Sequence, residues 1–94
     1  MKYPIISVPF KLGQTVATPN VLEAVPQDEI FAALQRHRNC DWGDVCPQDK
    51  WTNDRAIQDG ERLFSVYHSK EGIKFWIITE WDRSATTVLL PKDY

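Results

Sequence analysis

GIKFWIITEW, from Gly72 to Trp81, is the stretch on which the fold turns. Ile73, Phe75, Ile77 and Thr79 fill one set of alternate positions, and Lys74, Trp76, Ile78 and Glu80 fill the other. A period of two belongs to a strand, and the first set is the expected core face. On either side lie ERLFSVYHS (Glu61 to Ser69) and ATTVLL (Ala85 to Leu90), equally rich in β-branched and aromatic residues. Lys70-Glu71-Gly72 and Asp82-Arg83-Ser84 punctuate the three runs as turns. The final third therefore predicts a three-stranded antiparallel meander.

Upstream the period lengthens to that of helices. Thr18-Pro19 pairs a hydroxyl cap with a proline at the first helical position, and Asn20 to Val25 completes about two turns before Pro26. Gln27 to Arg38 reads as a second helix, with Asp28 and Glu29 in its first turn and Arg36, His37 and Arg38 in its last, matching the macrodipole. Ile30, Ala33, Leu34 and His37 form its buried stripe, with Phe31 beside it. Asn39 to Asp44 is a connector containing Trp42 and Gly43. Pro47 opens a third helix that runs to about Asp59 and stops at Gly60. Only Trp51, Ala56 and Ile57 are apolar candidates there, so most of that helix should face water and serve as a display surface. In Met1 to Gly13, Ile5, Ile6, Val8 and Phe10 form at most a short, irregular or edge strand, because Pro4 and Pro9 interrupt the ladder.

The expected architecture is a single α+β domain of two layers, an antiparallel sheet of three to four strands with two or three helices packed on one face. Ninety-four residues suit one such domain, and 43% hydrophobic content is enough for a core but too interrupted for a membrane span. A formal charge of -2 argues against a strongly basic nucleic-acid binder and against a heavily acidic DNA mimic. Without a secretory pattern at the N-terminus, and with only Cys40 and Cys46, the expected compartment is the cytoplasm and the cysteines are expected to be reduced thiols.

Several constellations could carry chemistry. His37, Cys40, Asp41, Asp44 and Cys46 fall within ten positions, but their spacing matches none of the usual zinc patterns, and a core histidine with two thiols explains them. Ser65, Ser84, Cys40 and Cys46 with His37 and His68 lack a nucleophile elbow or related signature. Asp28 with Glu29, and Asp49 with Asp54, read as solvated helix faces rather than acid/base pairs. Gly13, Gly43, Gly60 and Gly72 are too scattered for a phosphate loop. No catalytic residue, metal ligand or cofactor motif is assigned.

Binding residues are easier to nominate. Lys74, Trp76, Trp81, Arg83 and Lys92 could make a basic aromatic sheet face of the kind on which single strands of nucleic acid stack. Exposed Trp and Arg also dominate protein interfaces. In the turn, Asp82 can cap backbone amides and Arg83 can pair with it or with Glu80. The candidate binding set is Trp51 and Arg55 on the third helix, Trp76 on the sheet, and Trp81, Asp82 and Arg83 in the turn.

LGQTVATP (Leu12 to Pro19), DWGD (Asp41 to Asp44), NDRA (Asn53 to Ala56), WIITE (Trp76 to Glu80), DRS (Asp82 to Ser84), LLP (Leu89 to Pro91) and Tyr94 together resemble a family of short bacterial proteins encoded on plasmids, integrative elements and prophage-like islands, often labelled plasmid-related or hypothetical. The resemblance runs from about Leu12 to Tyr94 and implies a context, an accessory protein of a mobile element, without a mechanism. Labels borrowed from restriction enzymes find no methyl-donor or nuclease motif in this chain. Met1 to Phe10, Cys40, Cys46, Trp51 and Trp81 depart from the family pattern, so roles for them come from the residues alone.

The leading expectation is a non-enzymatic accessory protein that binds another protein through the third helix, the Asp82 to Thr87 turn or the exposed sheet face, one version being an inhibitor or modulator of a host defence system. The alternatives are a nucleic-acid binder in maintenance or transfer of the element, and a small enzyme of unknown class using His68 or the cysteines. Homodimerisation through the edge of the last strand is compatible with all three.

Overall fold

The computed structural model describes residues 9–94, and the expectations for Ile5, Ile6 and Val8 lie outside them. The chain runs β1 (Gln14–Ala17), α1 (Pro19–Ala24), α2 (Gln27–Arg38), α3 (Pro47–Asp59), β2 (Leu63–His68), β3 (Lys74–Thr79) and β4 (Ala85–Leu89), and closes in a 3-10 turn over Pro91–Asp93. The fold is α+β: a four-stranded open sheet in the order β1-β4-β3-β2, with three helices.

The meander forms as its alternation requires. β2 pairs antiparallel with β3, Phe64 opposite Ile78 and Val66 opposite Trp76, and β3 pairs antiparallel with β4. The fourth strand differs from expectation in place and direction, because Gln14–Ala17 lies parallel to β4 and makes the sheet mixed. Gly13 permits this. It adopts φ +66°, and a Cβ there would collide with the backbone of Arg83 and Ser84. A second difference follows from the strand order. β4 lies between β1 and β3, so the last strand has no edge to offer a second copy.

Helix ends follow local chemistry. The Thr18 hydroxyl accepts from the Val21 amide and donates to Asp93, whose carboxylate also accepts from the side chain of Asn20 and the Leu90 amide. These bonds hold the Asp93 carboxyl below its usual range and tie the end of the chain to the start of α1. α2 stops at Asn39, and the next residue, Cys40, takes φ +64°; the Cys40 and Asp41 amides return to the carbonyls of His37 and Arg36 in a Schellman arrangement.

α1 and α2 cover one sheet face. Val21, Val25, Ile30, Ala33 and Leu34 pack there against Tyr67, Phe75, Ile77 and Val88. The α2 stripe is as the period predicts, with Phe31 exposed beside it. α3 lies along the outer edge of β2, and its buried residues are Asn53 and Ala56 rather than Trp51. Trp51 stands about 160° round the helix from Asn53, and is 60% exposed. The connector before α3 is part of the core. Trp42 is buried against Phe10 and His37, and its indole N–H donates to Asp54.

The edge of β2 is sealed twice. The Asn53 side chain donates to the Phe64 carbonyl at 2.6 Å and accepts from the Phe64 amide at 3.1 Å, a side chain standing in for a neighbouring strand. Two residues on, the Val66 amide donates to the Trp42 carbonyl and the Val66 carbonyl accepts from the Asp44 amide, with Gly43 pressed so close that a Cβ would meet the Val66 oxygen. Replacing Asn53 by Ala leaves both Phe64 groups without partners beneath a helix. The expected loss is about 1–3 kcal/mol, or roughly 4–24 °C in Tm, measured by thermal unfolding. A variant within about 1 °C of the parent would contradict the sealing role.

Candidate functional site

The sheet face opposite α1 and α2 carries Phe64, Val66, Trp76, Ile78, Thr87 and Leu89, which share it by strand register. Between this outer face and α3 runs a groove of about 340 Å³, lined by Asp49, Thr52 and Asn53 from the helix and by Arg62, Phe64, Trp76, Ile78 and Tyr94 from the sheet side. Three aromatic rings make one wall. Phe64 and Trp76 meet edge to face at 5.1 Å between centroids, and Trp76 and Tyr94 at 5.9 Å. The Arg62 guanidinium donates to the Tyr94 hydroxyl at 2.6 Å, which fixes that ring.

The six residues nominated from sequence occupy three places. Trp76 lies in the groove. Trp51 and Arg55 lie together on the outer side of α3, the guanidinium 5.1 Å above the indole and 3.8 Å from Asp59. Trp81, 66% exposed, stands in the turn after β3. Asp82 caps that turn, accepting from the Ser84 amide at 3.0 Å, and bonds from the Ser84 side chain and amide hold its carboxyl below the usual range.

Arg83 has a structural role. Its guanidinium donates to the carbonyls of Ala56, Glu61 and Glu80 and lies over the Phe10 ring, while its backbone sits at φ +61°. It ties the end of α3 to the start of β2 and to the β3–β4 turn, so it is not a free docking cation. Its pairing with Glu80 runs through the carbonyl, not the carboxylate.

The residues considered for metal or nucleophile chemistry are similarly engaged. His37 is fully buried, with Nδ1 2.6 Å from Ser65 Oγ and Nε2 2.9 Å from Thr79 Oγ1. Thr79 Oγ1 continues to Thr86 Oγ1 at 2.7 Å, which donates to the Leu12 carbonyl. A carbonyl can only accept, so Thr79 donates to Thr86 and Nε2–H donates to Thr79; in the neutral ring Nδ1 then accepts from Ser65. Burial, with the nearby Arg83 charge, holds His37 down to about 4. Both ring nitrogens are thus committed inside the core. Cys40 occupies the left-handed helix stop with its thiol pushed up by burial, and Cys46 is exposed at the start of α3. Among the described residues no group of three or more His, Cys, Asp or Glu could hold a metal ion. His68 pairs with Asp44 at 2.7 Å on the surface.

Sequence reading missed Arg62, Phe64, Tyr94 and the groove side of α3. For Phe64 a signal existed. Pairing the first two strands of the meander in register puts Phe64 opposite Ile78 on the Trp76 face. Tyr94 had none, because its place depends on the 3-10 turn that Asp93 anchors to α1.

No family model, curated protein or solved structure matches this chain, so the site is read from its geometry. No helix among the described residues is long and apolar enough to cross a membrane.

Replacing Arg83 by Lys removes the planar fork whose two terminal nitrogens reach three carbonyls and leaves a single ammonium that cannot span them. The expected loss is about 1–3 kcal/mol, read as a lower urea midpoint, whereas Trp81→Ala stays within about 0.5 kcal/mol. The opposite ranking would mean that the turn, not its arginine, organises this corner.

Proposed function

We propose that this protein is a non-enzymatic binding module that docks a protein partner on the outer face of its sheet, in the groove against α3. The observation that supports the reading is the wall of Phe64, Trp76 and Tyr94, which borders an open groove while α1 and α2 cover the other face. A helix-backed sheet leaves one face to solvent, and aromatic residues with an arginine beside them are the side chains in which interface energy concentrates. The buried His37 system has no route to a substrate, which favours binding over catalysis as the use of this fold.

The resemblance to proteins of plasmids and integrative elements suggests a partner in the host, one version being a component of a defence system that the protein inhibits or modulates. A role in the cytoplasm accords with this. Nucleic acid is the less favoured occupant, because the groove sets the Asp49 carboxylate against Arg62, the one cation lining it among the described residues, and the chain as a whole is negative.

Affinity capture from host lysate with and without nuclease, comparing the parent chain with Trp76→Ala and Arg62→Ala, tests the reading. A near-stoichiometric protein partner should be retained by the parent and depleted by both variants, each shown to fold by circular dichroism. Recovery that disappears with nuclease would transfer the function to nucleic acid. A partner held equally by all three chains would place the interface elsewhere.

A further inference from the structure

The groove combines three observations that together describe its occupant. First, the aromatic wall is closed. At 5.1 and 5.9 Å the rings of Phe64, Trp76 and Tyr94 touch edge to face, so no gap remains between them for an ammonium group to be caged. What they present is a stepped wall, its neighbouring rings turned 72° and 73° from one another, suited to one aromatic group packed against a ring face and the edge beside it. Second, the two sides of the groove carry opposite and separate charges. Asp49 stands on the first turn of α3 and Arg62 just before β2, and among the described residues neither has an ion-pair partner. Arg62 gives one N–H to the Tyr94 hydroxyl and keeps the rest of its fork. Third, the backbone bordering the groove is already satisfied. Asn53 takes both the amide and the carbonyl of Phe64, so an incoming segment cannot join the sheet as a further strand there.

Resting on the binding-module reading above, we infer that the groove takes a segment of a partner protein through side chains alone: one aromatic residue packed against the Phe64, Trp76 and Tyr94 wall, a basic residue toward Asp49 and an acidic residue toward Arg62. The space of about 340 Å³ holds one large aromatic side chain with the roots of its neighbours. A wholly apolar segment would strip water from two charges and return nothing to them. A strand of nucleic acid would satisfy Arg62 and set its phosphates against Asp49. A segment bearing both signs around an aromatic residue meets all three conditions.

The test uses the full chain, labelled with nitrogen-15, and capped tripeptides as probes. Acetyl-Lys-Trp-Glu-amide should move the Trp76 indole N–H and the Phe64 and Ile78 amides on one saturable curve. Acetyl-Lys-Ala-Glu-amide should bind about tenfold or more weakly, because the aromatic anchor is lost. Acetyl-Lys-Trp-Lys-amide and acetyl-Glu-Trp-Glu-amide should each weaken by about two- to fivefold, the scale of an exposed ion pair. Arg62→Ala should abolish the preference for the acidic residue, and Asp49→Asn that for the basic one. Equal affinities across the charge series, shifts centred on Trp51 or Trp81, or no saturable binding at millimolar peptide would each overturn the inference. The capture experiment separates the two levels: a partner lost by Trp76→Ala while the peptides fail leaves the binding module standing without this occupant, whereas a partner indifferent to the groove variants removes both.

Discussion

A neutral imidazole in the core holds this fold in register. His37, in the last turn of α2, bonds to Ser65 on β2 and Thr79 on β3, and the chain of hydroxyls continues through Thr86 on β4 to the backbone just before β1. One helix residue is thereby coupled to all three meander strands and to the approach of the fourth. Buried polar groups are tolerated only when each finds its partner, and the Thr79 and Thr86 hydroxyls are each both donor and acceptor. The charge state matters as much as the geometry. With the folded ring held to about 4 against an ordinary 6.5, the unfolded chain takes up a proton first as pH falls. Stability is therefore fully present above about pH 6.5 and is lost progressively towards pH 4.

With α1 and α2 on the inner face, the outer face keeps Phe64, Val66 and Trp76 half-buried, while Ile78 and Leu89 are buried on it. The α3 helix flanks this face at the β2 edge. Asn53 and the Trp42 to Asp44 segment bind it and its connector to the backbone edge of β2, which places the helix beside the sheet and creates the groove. Sealing that edge and building the groove are one structural act. The same logic explains Arg83, whose fork gathers the end of α3, the start of β2 and the β3–β4 turn at one corner. A residue type that reads as an interface hot spot in sequence is here an internal clasp.

Much of the fold was legible because it rests on local chemistry. The Thr18-Pro19 start, the charged ends of Gln27–Arg38, the Gly60 stop and the period of two through β3 each report a single element, and each element formed. What stayed hidden depends on contacts distant in sequence. The parallel docking of β1 on β4 requires the close approach at Gly13, and the burial of Asn53 and Trp42 depends on an edge strand more than ten residues away. For the groove the outcome divides similarly. Trp76 was visible by alternation, while Tyr94 and Arg62 meet only after the chain end is anchored by Asp93. Trp51, an apolar candidate of its helix by sequence, and Trp81 are both exposed, and neither reaches the groove.

The His37 ring is the most direct point at which to test this arrangement. Nitrogen-15 chemical shifts of the imidazole, followed by NMR from pH 8 to pH 4, report both its proton and its tautomer. The hydroxyl chain predicts a neutral ring protonated at Nε2 and unprotonated at Nδ1, persisting until about pH 4 where the fold itself weakens. Titration near the ordinary 6.5 in the folded protein, or a proton resident on Nδ1, would contradict the buried network on which the placement of α2 against the meander depends.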